Sequence, residues 1–149
     1  MAGSAPSSKM TPPDKLSLIV YSGDFDKIHY ALATAAAAAA IGRAVTLFFT
    51  MDACRALGEG AGWRALPVSQ TEARNGGDMD DAFKAQGIAD FETLLTGCVE
   101  MGCAFMVCEM GLRARGLEGM KLRADVPVRE GGLVTFLNDA SKDGAILFI

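Results

Sequence analysis

Cys108 closes a short apolar run, Cys103-Ala104-Phe105-Met106-Val107-Cys108, and Glu109-Met110-Gly111-Leu112-Arg113-Ala114-Arg115-Gly116 follows it. The run has the length of a buried strand and the segment after it has helical composition. A thiol at that junction stands where parallel α/β proteins open their ligand crevice, outside the carboxyl ends of the strands. Helix N-terminal N–H groups and the helix dipole stabilise a thiolate there, so the chemistry on offer is nucleophilic sulfur chemistry. The competing reading is a buried structural cysteine, since free cysteine is among the most buried residue types. Neighbouring charges leave the direction of its titration open: Arg113 and Arg115 favour the thiolate if they fold over the crevice, and Glu109 disfavours it.

Three further cysteines must be placed. Cys54 follows a second apolar run and falls on the same sheet edge as Cys108, so it is a candidate second, resolving thiol provided that the sulfurs come within disulfide reach. Cys98 belongs to the apolar face of a helix and Cys103 enters a strand at its amino end, which reads both as core. Cys98, Cys103 and Cys108 stand five apart, a spacing that matches no familiar zinc site. On one strand an odd separation sends Cys103 and Cys108 to opposite faces, about 16 Å apart, which forbids a disulfide between them.

The elements that position these residues alternate. Residues 16–21 read as a strand ended by Ser22-Gly23-Asp24, residues 25–41 as an alanine-rich helix stopped by Gly42, and residues 44–50 as a second strand followed by a helical turn to Leu57. Residues 58–87 break the rhythm and read as a long, partly helical excursion in which Trp63 is an anchor. Phe91, Leu94, Leu95, Cys98 and Met101 mark the next helix. A strand at 103–107, a helix at 109–115, an extended piece at 126–128, a helix at 133–141 and a strand at 145–149 complete the order. Strands alternating with helices predict an α/β, flavodoxin-like three-layer sandwich with a mostly parallel five-stranded sheet. Ser22, Gly23, Asp24, Thr50, Glu109, Met110 and Arg115 are then the candidate crevice residues.

The 149 residues, half of them apolar, are expected to form one domain over residues 14–149 behind a disordered tail at 1–13. A net charge of -4 gives no electrostatic footprint for nucleic acid. The longest apolar stretch, 35–41, is too short to span a bilayer, and the N-terminus lacks the apolar centre of a secretory signal, which leads us to expect a cytoplasmic protein. Asp78, Asp80 and Asp81 lack the spacing of a calcium loop and read as a solvated face or cap, so no metal site is expected. His29 reads as a surface or capping residue, and no glycine-rich phosphate loop occurs at any strand exit.

Several separated segments together resemble one family. The segment Ser22-Gly23-Asp24-Phe25-Asp26-Lys27 before an alanine-rich helix, and then residues 42–50, is similar to the first βαβ unit of the DsrE/DsrF-like proteins of sulfur metabolism. Residues 102–110, Arg115-Gly116 and Gly131-Gly132-Leu133 resemble that family's cysteine-bearing strand and closing helix, so the resemblance runs from Leu16 to Phe148, with a poor match over 58–87. It implies a DsrE-like fold, homo-oligomers such as trimers or hexamers, and a cysteine that carries sulfane sulfur as a persulfide, a position on which Cys108 alone falls. The expected function is that of a sulfur carrier, or sulfurtransferase-like protein, with sulfur donor and acceptor proteins as partners and no cofactor. The alternatives are a non-catalytic oligomeric ligand-binding or scaffold protein of the same fold, and a thiol redox sensor using Cys54 and Cys108.

Overall fold

A computed structural model describes residues 11–70 and 72–149. The tail expected at 1–13 lies outside the described residues except for 11–13, which are exposed. Strands β1 (Lys15–Val20), β2 (Ala44–Phe49), β3 (Ala104–Cys108), β4 (Val128–Gly131) and β5 (Ala145–Phe148) form one sheet in the order β4-β3-β2-β1-β5. Every pairing is parallel. The chain steps outward from β1 to β4 and then returns to the other side of β1, so the topological switch lies between β1 and β5.

Period-two alternation divides the strands between two unequal layers. Leu18, Val20, Val45, Leu47, Phe49, Phe105 and Val107 join the larger core cluster, beneath helices α1 (Phe25–Ala40) and α3 (Phe91–Glu100). Phe25, Ile28, Ala31, Leu32 and Ala35 form the buried stripe of α1. The alanines that follow cost no side-chain entropy and sustain the helix to its C-cap at Ile41. Gly42 then turns into the left-handed region with φ +87, and Arg43 N–H returns to the Ala38 carbonyl at 3.0 Å.

The opposite face is thinly covered. Ile19, Phe48, Met106 and Cys108 meet one helix, α5 (Leu133–Asp139), through Phe136, whose ring lies 5.0 Å from that of Phe48. Asp139 pins the end of α5 to the sheet, accepting from Lys15 at 2.8 Å and from the Thr46 hydroxyl at 2.7 Å. Burial opposes ionisation of Asp139, but these bonds outweigh it and hold its carboxyl below the usual carboxylate range. Leu133, Val134, Leu137, Ile146, Leu147 and Phe148 remain exposed on α5 and β5.

Between β2 and β3 the chain makes 3-10 turns at Met51–Leu57 and Gly62–Ala65 and helix α2 (Gly76–Ala85) before α3. Trp63 anchors this excursion to the body of the molecule, stacking on Phe91 at 4.7 Å and donating its indole N–H to Glu92 at 2.6 Å. Arg123 donates to both oxygens of Glu92, at 2.9 and 2.6 Å, and ties in the chain that follows helix α4 (Glu109–Ala114). Among the three acidic residues of α2, Asp78 and Asp81 pair with Arg74 and Arg64, whereas Asp80 is buried and accepts the Phe91 N–H at 2.7 Å. His29 departs from its expected surface position: it is buried, because Phe83 of α2 packs on its ring and the link before α3 brings the Ala89 carbonyl 2.8 Å from its Nε2. The fourth strand falls at 128–131 rather than 126–128, since ladder pairing of Cys108 with Gly131 overrides the turn preference of glycine.

Glu92 therefore joins three segments through one carboxylate. We expect Glu92→Ala to lower unfolding free energy by about 1–3 kcal/mol, since Trp63 N–H loses its acceptor and Arg123 is left with Asp125 alone. Urea denaturation with an unchanged slope would bear this out, and an unchanged midpoint would refute it.

Candidate functional site

Cys108 is at once the last residue of β3 and the N-cap of α4. The pleat sends its side chain to the thinly covered face, and the chain turns so sharply into α4 that Gly111 N–H donates to its Sγ at 3.4 Å. Only 1% of the residue is exposed. Its sulfur borders an apolar cavity of about 170 Å³, whose wall includes Ile19, Phe48, Thr50, Met51 and Leu133. Tyr21 and Phe148, with rings 5.3 Å apart, and the exposed Met110 form its rim.

Close backbone approach builds this corner. A Cβ on Gly111 would run into the Thr50 hydroxyl and the Met51 backbone nitrogen, so only glycine lets α4 sit against the exit of β2. Met51 itself is held at φ +53, a left-handed conformation that costs a non-glycine residue about 1–2 kcal/mol. Strain of this kind concentrates at functional sites, where the surroundings enforce it. A side chain on Gly23 would collide with Asp52, so the loop after β1 closes on the loop after β2 in the same manner.

Beside the cavity, and sharing Tyr21 and Met51 with it, is a polar hollow of about 410 Å³ that contains Ser22, Gly23, Lys27, Asp52 and Arg115. A contiguous hollow adds Asp24 and Arg55. Asp52 organises the charge there, accepting from Arg115 at 3.0 Å and from Arg55 at 3.1 Å. Burial works against its ionisation, and the two guanidinium groups outweigh burial and hold its carboxyl below the usual range. Arg115 thus spends its charge on Asp52, and Arg113 pairs with Glu118.

Of the candidate crevice residues, Thr50 and Met110 line the Cys108 cavity, while Ser22, Gly23, Asp24 and Arg115 line the adjoining hollows. Glu109 is turned to the far side of α4, with Glu118 and Glu130. Sequence reasoning missed Tyr21, Met51, Asp52, Phe148 and Leu133. Tyr21, Met51 and Asp52 directly follow strands at the carboxyl edge, a signal that could have found them; the others come from the return of the chain through α5 and β5. Among the described residues no three His, Cys, Asp or Glu side chains gather as a metal site, and no helix is long and apolar enough to cross a membrane.

Cys54 lies below the same corner, but on the other side of the sheet. Its sulfur belongs to the larger core cluster, donates to the Phe49 carbonyl at 3.5 Å and faces the Cys108 backbone N–H, whereas the Cys108 sulfur belongs to the smaller cluster. Burial, followed by the proximity of Cys108, pushes the Cys54 thiol up to about 12.

Comparison with known proteins places this architecture. The model of the DsrE/DsrF-like family matches residues 14–147. Among solved structures, the crystal structure of the ychN protein from E. coli superposes with a TM-score of 0.51 at 16% identity, covering 91% of this chain and 99% of that one. At that identity the likeness is one of fold. No curated protein matches the sequence.

The raised Cys54 value fixes the sign of an alkaline effect. The proton is held more tightly in the folded state, so its stabilising contribution is complete below the unfolded thiol value of about 8.5 and is lost as pH rises toward the folded value. We expect the urea midpoint of the wild type to fall more between about pH 8 and pH 10.5 than that of Cys54→Ala. Equal falls in the two proteins would show that Cys54 does not titrate in this way.

Proposed function

This chain belongs to the DsrE/DsrF-like family, and from that premise we propose that it holds sulfane sulfur as a persulfide on Cys108 and passes it to the thiol of another protein. Membership supports a role of the sulfur-relay kind. The observation that carries the finer reading is the Cys108 sulfur bordering a small apolar cavity with an N–H donor, Gly111, 3.4 Å away.

The cycle needs no group beyond the thiols. The Cys108 thiolate attacks the outer sulfur of a donor persulfide, the donor S–S bond breaks, and the donor leaves as a thiolate. The transferred sulfur extends from Cys108 into the cavity, where Ile19, Phe48 and Leu133 keep water from it. An acceptor thiolate then attacks that outer sulfur and Cys108 departs as a thiolate, to which Gly111 N–H donates. Tyr21, Met110 and Phe148 border the approach to the sulfur. No metal or cofactor enters any step.

The partners in this reading are a sulfur donor, a sulfur acceptor and further copies of the chain. Val134 and Phe148, 72% and 67% exposed, lie on the thinly covered side together with Leu133, Leu137 and Ile146. Contiguous apolar surface of this sort marks an interaction face, and a homo-oligomer such as a trimer or hexamer would bury it. A non-catalytic binding module would use the same cavity without sulfur transfer; its almost wholly apolar wall favours that second reading.

Intact-mass measurement after incubation with polysulfide separates the two. We expect a gain of about 32 Da that reductant removes and that Cys108→Ser abolishes while Cys54→Ser retains it. Absence of a gain, or a gain indifferent to Cys108, would favour the binding module. Light scattering should show an assembly at micromolar concentration that Val134→Asp shifts toward monomer; a monomeric wild type would remove self-association from the proposal.

A further inference from the structure

Helices α1, α2, α3 and α4 end alike. A glycine with positive φ follows the C-cap in each, at Gly42, Gly87, Gly102 and Gly116. The next residue donates its N–H to the carbonyl five positions back: Arg43 to Ala38, Ile88 to Phe83, Cys103 to Cys98 and Leu117 to Leu112. This is the Schellman motif, which an apolar contact between the side chains of those two positions frequently accompanies. Helix α2 places Phe83 and Ile88 at these two positions, and α4 places Leu112 and Leu117 there. Helix α3 places two thiols there.

The backbone alone bounds how far apart Cys98 and Cys103 can be. Their N–H···O bond is 2.9 Å long. Adding about 2.4 Å from Cα to carbonyl oxygen and about 1.5 Å from nitrogen to Cα caps the Cα separation near 6.8 Å, within disulfide range. Both side chains join the larger core cluster, each thiol perturbs the titration of the other, and the Cys98 thiol donates to the Leu32 carbonyl at 3.6 Å. By contrast, Cys108 lies five residues along β3 from Cys103, about 16 Å away at strand rise and on the other face. Cys54 belongs to the exit of β2, at the opposite end of the sheet from the start of β3.

We propose that Cys98 and Cys103 are a modification site, which a hydroperoxide converts to an intrachain disulfide joining the end of α3 to the start of β3. Cys103 is the attacking thiol: it is 6% exposed where Cys98 is fully buried, and the neighbouring Cys98 thiol holds its own thiol below the usual value. Its sulfur attacks one peroxide oxygen, the O–O bond breaks, and the departing oxygen leaves as water or alcohol with the thiol proton. The sulfenic acid formed on Cys103 is then attacked by the Cys98 sulfur. The S–S bond forms as the S–O bond breaks, and the hydroxyl leaves as water with the Cys98 proton. Two thiols lose two electrons in all, and the hydroperoxide gains them. Nothing in this chemistry depends on sulfur carriage by Cys108.

The sequence supplies a direct assay. A glutamate-specific protease cutting after Glu92, Glu100 and Glu109 separates Cys98, in fragment 93–100, from Cys103 and Cys108, in fragment 101–109. Wild-type protein treated with hydrogen peroxide, then unfolded and alkylated, should yield these two fragments joined until reduced, about 2 Da lighter than their sum, with Cys108 carrying the alkyl group. Cys103→Ser should give no joined species. The proposal is overturned if Cys98 and Cys103 remain fully alkylatable while other thiols oxidise, or if the link maps to Cys54 or Cys108. The wild-type digest decides the matter even if the variant fails to fold.

Discussion

The pleat of β3, held in parallel register against β2, is the constraint on which the rest of the molecule depends. Pairing of Phe48 with Met106 and of Phe49 with Val107 fixes which side chains face each layer. Phe105 and Val107 go to the thick layer under α1 and α3; Met106 and Cys108 go to the thin layer under α5. A slip of one residue would exchange the two sets, bury the Cys108 sulfur beneath α1 and α3, and leave Phe105 and Val107 facing a helix too short to cover them. The register is therefore as much a statement about chemistry as about packing. It places the one cysteine at a strand exit on the face where space is left beside it.

That space exists because a single seven-residue helix must cross the sheet from β4 on one edge to β5 on the other. Phe136 fills the middle and Asp139 fastens the far end, and Leu133 at the start of α5 only walls one side of the space left at the exits of β1 and β3. The loops close in there instead. Gly111 abuts Thr50, Gly23 abuts Asp52, and Met51 takes up the backbone strain that the two approaches leave. Asp52 ties the corner together electrostatically by holding Arg55 and Arg115, which would otherwise repel each other across the polar hollow. The apolar cavity and the charged hollow are thus two consequences of one crowded turn.

Much of this was legible in the sequence, and the parts that were not share a cause. Strand–helix alternation, the left-handed glycines that end the helices and the odd spacing of Cys103 and Cys108 are local signals, and the α/β sheet, the helix ends and the opposite facing of those two thiols agree with them. The fourth strand was misplaced because Glu130-Gly131-Gly132 is turn-like in isolation and becomes a strand only through its ladder to β3. His29 carries no local sign of burial; it is buried because Phe83 and Ala89, some fifty to sixty residues on, pack against it. Asp52 and Phe148 reach the site from separate strands. The clasp of Trp63, Glu92 and Arg123 is likewise a meeting of three segments that no periodicity announces.

Access to Cys108 and exposure of the thin face are two aspects of one surface. Tyr21, Met110 and Phe148 border the cavity, and they are also among the exposed apolar side chains on that side of the sheet. Any protein that buries Leu133, Val134 and Phe148 therefore also narrows or reshapes the approach to the sulfur. A further copy of the chain docked there would set the size of the opening through which a donor or acceptor thiol must reach. The polar hollow is open on the other side of Tyr21 and Met51, and its Ser22, Lys27 and Arg115 offer hydrogen-bond donors to an arriving chain. Sulfur exchange in an apolar cavity, with polar recognition beside it, follows from placing a thiol at the one strand exit where an apolar layer runs out and a charged loop cluster begins.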